Sequence, residues 1–135
     1  MKRSEVREAV FFLTFEKLFG NGTTEEIIES AYEADNFEMN GDVEDLFKSV
    51  DEKTEETDGI IGKFSESRQF SRIPKVSVAV LRIALYEMLY DDNVPDNVAI
   101  SEAVVLTKKF AFEQDVQFVN GLLGAFYRSR EKAEQ

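Results

Sequence analysis

Few side chains in this sequence are able to do chemistry. Its 135 residues include no cysteine and no histidine, which excludes thiolate nucleophiles, imidazole acid–base catalysis and Cys/His zinc sites. Glycine-rich phosphate loops and the G-x-S-x-G nucleophile motif are absent as well. Adjacent acids such as Asp51-Glu52 and Asp91-Asp92 diverge around a helix or lie in a loop. We expect no catalytic residue, no cofactor and no enzymatic activity; a carboxylate–metal enzyme is the alternative that acid content alone leaves open.

One acidic stretch has part of the pattern of a calcium loop. The run from Asn36 to Gly41 places oxygen-bearing side chains at alternate positions and a glycine at the sixth, as in the first half of an EF-hand. The twelfth position is Phe47, so the bidentate carboxylate that completes such a loop is missing. We therefore expect no metal site.

The net charge of -11 is distributed unevenly. Residues 1–20 carry 4 basic and 3 acidic side chains, residues 21–67 carry 3 and 15, and residues 68–135 carry 9 and 9. All of the excess negative charge therefore lies in the middle third. A basic face remains possible on the rest, although a solvated surface of mixed charge would explain the same composition.

Apolar residues recur at three- and four-residue spacing along most of the chain, which predicts an all-α fold. The sequence predicts that Ser4 is the N-cap of the first helix and that Thr23 and Glu26 form a capping box at the start of the second. We expect a single-domain helical bundle of about six to seven helices over residues 1–135. The predicted helices are 5–19, a short one opened by Thr23, one long helix over 42–66, and three more over about 74–90, 97–110 and 115–131.

Basic residues gather at the start of the first predicted helix. Lys2 and Arg3 precede it, and Arg7 lies one turn in. Free backbone N–H groups at a helix start attract phosphate oxygens, and basic side chains add charge-assisted hydrogen bonds. An aromatic residue nearby could stack an unpaired base, and Phe118 is the candidate, although its periodicity by itself favours a core position. Three cations predict only weak RNA affinity without a second surface or a partner.

Two glycines interrupt the apolar pattern of the last predicted helix. Gly121 and Gly124 each cost about 1 kcal/mol relative to alanine inside a helix. Close approach of another helix would explain them, and so would a surface that meets another molecule.

Three motifs in the second half of the chain resemble those of the NusB transcription antitermination family. They are Val80-Leu-Arg-Ile-Ala-Leu-Tyr-Glu-Met-Leu89, Val98-Ala-Ile-Ser-Glu-Ala-Val104 and Phe118-Val-Asn-Gly-Leu-Leu123, in the family's order and at compatible spacing. Arg7-Glu8-Ala9 is similar to part of the family's basic first helix.

The resemblance implies an all-helical, non-enzymatic protein that pairs with the ribosomal protein NusE and binds the boxA element of nascent ribosomal RNA. The complex would then help the RNA polymerase elongation complex to read through terminators. For the RNA surface the resemblance implies Lys2, Arg3, Arg7, Phe118 and Asn120. For the NusE surface it implies Phe15 and Ser77.

Some residues depart from the family pattern. The N-terminal basic cluster is thin, Gln117 stands where a basic residue often precedes the FVNG motif, and Ser101 replaces the usual asparagine of a second motif. A protein-only adaptor that has lost RNA binding is therefore the alternative function. A homodimer is also open, because the first predicted helix is rich in phenylalanine. No signal peptide or membrane span is seen, so we expect a cytoplasmic protein.

Overall fold

The computed structural model describes residues 1–66 and 68–134, and the regular secondary structure of these residues is helical. Over these residues there are seven α-helices, one short 3-10 helix and no strand. The prediction of an all-α fold with six to seven helices is confirmed. The α-helices are α1 (Arg3–Leu18), α2 (Thr24–Ala34), α3 (Gly41–Glu52), α4 (Thr54–Phe64), α5 (Lys75–Tyr90), α6 (Asp96–Phe110) and α7 (Glu113–Glu134), and the 3-10 helix is Phe70–Arg72.

The helices fall into two compact units. The N-terminal unit ends at Lys53 and contains α1, α2 and α3, and the C-terminal unit begins at Thr54 and contains the remaining helices. Each unit has its own set of packed helix pairs.

The expected single helix over 42–66 is wrong, because the chain leaves helical geometry at one residue. Lys53 has φ -102° and ψ 13°, and its N–H group donates to Val50 O and Asp51 O instead of continuing the i to i−4 ladder. The apolar spacing runs on across the break, since Val50, Thr57 and Ile61 are all buried. A pattern of buried faces therefore cannot reveal a one-residue interruption between two helices.

In the N-terminal unit, α1 packs against both α2 and α3. Its residues Val6, Val10 and Leu13 are at most 2% exposed. The capping box of α2 is confirmed, because Glu26 N–H donates to Thr23 Oγ1 at 3.2 Å and Thr23 N–H donates to Glu26 Oε1 at 3.0 Å. These hydrogen bonds lower the pKa of the exposed Glu26 carboxyl below its ordinary value.

The start of α1 differs from its sequence prediction. The helix begins at Arg3, and Lys2 rather than Ser4 occupies the N-cap position. Lys2 N–H donates to Glu5 Oε1 at 3.0 Å, so an acid in the first turn satisfies the backbone donor there.

In the C-terminal unit, α5 is the central helix and packs against α4, α6 and α7. Its apolar residues are almost all buried, among them Leu81 and Leu85 at 0% exposure. Arg82 on this helix makes a bidentate ion pair with Asp58 on α4, with both N···O distances at 2.8 Å. The guanidinium of Arg130 joins α7 to the end of α5 by donating to Met88 O at 3.0 Å.

Replacing Asp58 tests the contribution of this ion pair to stability. The side chains of Arg82 and Asp58 are 11% and 25% exposed, so water screens the pair only in part. We expect Asp58→Asn to lower the free energy of unfolding by about 1.5 kcal/mol, measured by urea denaturation at neutral pH. Glu55→Gln, an exposed acid on the same helix, is the control and should change it by less than about 0.5 kcal/mol. Equal effects of the two variants would contradict this assignment.

Candidate nucleic-acid interface

The start of α1 exposes two of its three predicted phosphate-binding cations. Lys2 and Arg3 lie on the surface, beside the positively polarised end of a 16-residue helix. Arg7 is only 4% exposed and interacts with other groups of the protein. This differs from the expectation that Arg7 is a surface cation, because the second turn of α1 faces inward at this position.

Phe118 lies on α7 and is half-buried. The guanidinium carbon of Arg68 lies 4.5 Å from the centroid of its ring, which is a close cation–π contact. The ring is therefore not sealed in the core, and a planar cation lies against it. Phe118 and Arg68 both belong to the C-terminal unit.

The turn after α4 holds Arg68 in place. Ser65 is 4% exposed, and its hydroxyl lies 3.0 Å from Arg68 O and 3.2 Å from Gly62 O, within donating distance of both. Arg68 N–H donates back to Ser65 O at 3.2 Å. These backbone contacts orient the Arg68 side chain towards α7 without using its guanidinium donors.

An open cleft of about 490 Å³ surrounds this contact, and we call it the Phe118 cleft. Positions 118, 121, 125 and 128 lie on one face of α7 because they are three or four residues apart. The polar residues that line the cleft include Arg68, Gln117 and Arg128, together with one exposed acid, Glu66, and Phe118 and Gly121 line it as well.

A second open cleft, of about 670 Å³, shares Arg68 with the first. Arg72, on the 3-10 helix, and Asp115, at the start of α7, also line it. The Asp115 carboxylate, in the first turn of α7, accepts the Phe112 N–H at 3.1 Å and so caps the helix. Two arginines therefore face this cleft beside one acid that is already hydrogen-bonded.

The two glycines of α7 are not explained by a neighbouring helix. A Cβ atom at Gly121 would have no neighbour within 4 Å among the atoms that the structure describes. A Cβ atom at Gly124 would lie 3.2 Å from Nη1 of Arg128. Gly121 therefore places no side chain in the Phe118 cleft. Gly124 leaves room for the guanidinium of Arg128 to lie close to α7.

The other residues predicted to contact RNA or NusE differ in exposure: Asn120 lies on the surface, Phe15 is half-buried and Ser77 is buried. Asn120 is exposed, but it is two positions from Phe118 on α7 and so points in a different direction. Phe15 is half-buried between Phe11 and Phe19, with ring centroids 5.9 Å and 4.9 Å away. Ser77 is 0% exposed, so it offers no surface contact in this structure, contrary to expectation. It lies in the first turn of α5, and that turn is buried there by packing.

Arg68, Arg72 and Arg128 were not predicted as site residues from the sequence. The signal for Arg128 was present, because it lies ten residues after Phe118 and seven after Gly121 and therefore on the same helix face. Arg68 gave no such signal. It lies outside the helices, and only the turn at Ser65 brings it to Phe118.

The described residues contain no group of three or more acidic side chains that could hold a metal ion. Within the same part of the chain, no helix is both long enough and apolar enough to cross a membrane. The calcium-loop segment does not form a continuous loop of ligands either, because Asn40 caps α3 by accepting the Val43 N–H at 3.0 Å.

An exposed arginine against an aromatic ring in an open cleft is a feature typical of binding proteins. Comparison with known proteins identifies the family. The sequence model of the NusB family matches residues 4–128, so the chain belongs to the NusB family. The transcription antitermination protein NusB of Acetivibrio thermocellus is 39% identical over 126 residues, which cover 92% of this chain and 87% of that protein. The family acts in transcription and is not enzymatic.

Solved structures agree with this assignment. T. maritima NusB has a TM-score of 0.82 and 26% identity, covering 100% of this chain and 99% of that chain. A crystal structure of the antitermination factors NusB and NusE in complex with dsRNA has a TM-score of 0.81 and 25% identity, covering 94% of this chain and 96% of that chain.

Alanine substitutions test why α7 keeps its glycines. Gly121→Ala should raise the free energy of unfolding by about 0.5–1 kcal/mol, because alanine favours the helix and its methyl group meets no neighbour. Gly59→Ala on α4, where a Cβ is equally free, is the matched control and should give the same gain. Gly124→Ala should raise the free energy of unfolding by less, because its methyl group would lie only 3.2 Å from Nη1 of Arg128. Thermal unfolding measures all three, and a loss of stability in Gly121→Ala would contradict the open-cleft geometry.

Proposed function

We propose that this chain, together with NusE, binds the boxA element of nascent ribosomal RNA as an unpaired strand and helps the RNA polymerase elongation complex to read through terminators. Family membership supports this role, and the similarity to NusB in a complex with NusE and dsRNA supports the binding of NusE and of RNA. The preference for an unpaired strand is supported by the Phe118 cleft instead. Because the partners of this role are the transcript and the polymerase, the protein would act in the cytoplasm.

The observation that carries the proposal is the exposed guanidinium on the Phe118 ring in an open cleft. Single-stranded RNA is held by stacking of its bases on aromatic rings and arginine planes, with cations at its phosphates. The Phe118 cleft supplies both kinds of contact, with Arg128 as a second cation. Asn120, exposed on the same helix, has a carboxamide able to donate to and accept from RNA.

The N-terminal unit contributes a second, smaller group of cations. Lys2 and Arg3 would bind phosphate at the start of α1. Arg7 would support that turn from inside rather than bind RNA directly, because it is buried. With so few exposed cations, the isolated chain should bind RNA weakly and depend on NusE for affinity.

The NusE surface is proposed on the aromatic row of α1. The Phe15 ring stacks on Phe11 and meets Phe19, at the end of α1, edge to face, and Phe19 is 56% exposed. An exposed aromatic side chain at the end of such a row is typical of a protein interface. Ser77 would act only through the packing of α5, since its side chain is buried. A second copy of this chain is the competing occupant of this face.

Titration of labelled RNA tests the function as a whole. We expect a single-stranded boxA oligonucleotide to bind the chain with NusE at least tenfold more tightly than the chain alone, measured by fluorescence anisotropy at 50 and 200 mM salt. The same strand in a duplex should bind more weakly, because its bases are already stacked and paired. No affinity and no salt dependence with NusE present would reject RNA binding and favour the protein-only adaptor, which the net charge of -11 would suit.

Reversing charge at the start of α1 tests the smaller group of cations. Lys2→Glu with Arg3→Glu should weaken boxA binding about tenfold or more and reduce its salt dependence, because two phosphate contacts are lost. Binding of NusE alone should stay unchanged. Glu25→Gln with Glu29→Gln on α2 changes exposed charges of the same unit in the opposite direction and should not weaken RNA binding. RNA affinity that survives the reversal would remove this turn from the interface.

A further inference from the structure

Arg68 and Arg128 both line the Phe118 cleft, and the proposed RNA-binding function does not say which part of a nucleotide each of them would contact. Arg68 lies against the ring of Phe118, and Arg128 reaches the cleft from almost three turns further along α7. Both side chains are exposed, and neither forms an ion pair with a residue in the described part of the chain. Arg82 and Arg130 elsewhere in the same unit are held by Asp58 and Asp96.

We propose that Arg68, Phe118 and Arg128 form a subsite for one unpaired nucleotide and its adjoining phosphate. The base stacks on the outer face of the Arg68 guanidinium, whose inner face rests on Phe118, and Arg128 binds the phosphate. This assignment rests on the proposed RNA-binding function and names the residues that hold one nucleotide.

The geometry favours a base on the guanidinium rather than directly on the ring. At 4.5 Å from the ring centroid, the guanidinium carbon occupies a face of Phe118 that a base would otherwise take. A guanidinium is planar and weakly hydrated, so it stacks on an aromatic ring with one face and on a base with the other. Its N–H donors lie in its plane and point sideways, where a phosphate oxygen of the same strand can accept them.

The ligand is an unpaired nucleotide because only such a base exposes a free face and a free edge. In a duplex both faces of each base are covered by its neighbours. Gln117 lines the same cleft and is exposed, so its carboxamide can hydrogen-bond the edge of a stacked base.

The glycines of α7 give the subsite its shape. A methyl group at Gly124 would approach Nη1 of Arg128 to 3.2 Å, so this glycine lets the guanidinium lie close to the helix. At Gly121 the backbone is bare and lines the cleft. Gly124 is therefore a positioning residue for Arg128.

The first experiment distinguishes the contribution of the planar Arg68 guanidinium to RNA affinity from the contribution of its positive charge. With the full chain, NusE and single-stranded boxA RNA, Arg68→Lys should weaken binding about fivefold or more while the salt dependence stays the same, because lysine keeps the charge and loses the stacking plane. Arg68→Gln should weaken binding further and also reduce the salt dependence. Equal affinity of Arg68→Lys and the unmodified chain would overturn the stacking role.

The second experiment tests the phosphate contact. Arg128→Gln should weaken binding about tenfold and lower the slope of log affinity against log salt by about 0.7, the value for one phosphate on a single strand. Lys108→Gln removes one exposed charge from the end of α6, away from both clefts, and is the matched control. Gly124→Ala should weaken binding about twofold with an unchanged slope and without loss of thermal stability, since the charge is retained but displaced.

Stacking is read directly with 2-aminopurine placed at successive positions of the RNA. One position should be quenched on binding, and that quenching should be lost in Arg68→Gln and in Phe118→Ala. Circular dichroism melting curves confirm that each variant is folded. If the unmodified complex binds RNA but Arg128→Gln and Lys108→Gln bind alike, the subsite is overturned and the general function stands. If the unmodified complex does not bind RNA, both fail together.

Discussion

The contact on which the candidate interface depends is the stacking of the Arg68 guanidinium on the Phe118 ring. A cation over an aromatic face gains electrostatic attraction and gives up little hydration, so the pair is stable at a solvent-exposed position. Ser65 anchors the backbone of Arg68, and α7 carries Phe118. A turn and a helix thus place a cation against an aromatic ring, and Arg68 lines both open clefts.

A net charge of -11 and an RNA-binding role are compatible because electrostatic interactions in salt are local. At physiological ionic strength charges are screened over about 8 Å, so a phosphate responds to the side chains beside it rather than to the whole protein. Residues 21–67 carry 15 acids, whereas residues 68–135 are balanced and include every arginine of the two clefts. Acids on the N-terminal unit would disfavour RNA on their own surface and so narrow the places where a strand can bind.

The long amphipathic helices were predicted correctly from the sequence, but a helix break at one residue and the burial of individual polar side chains were not. The periodic faces of α5, α6 and α7 and the capping box of α2 follow from local rules that the structure confirms. The break at Lys53 was missed because apolar spacing continues through it. The inward placement of Arg7 and Ser77 was also missed, since both residue types are usually exposed and burial depends on neighbours that periodicity does not name.

The sequence by itself determined the helical class and the family, because these depend on periodicity and on local motifs, and it proposed Phe118 and the basic start of α1 as candidate RNA-binding positions. Only the tertiary structure decided that Arg68 lies against Phe118 and that Arg128 lines the same cleft. Fifty positions separate Arg68 from Phe118, and no local rule connects them. Their meeting depends on how α4 and α7 pack and on the turn at Ser65, and such long-range geometry exists only once the chain has folded.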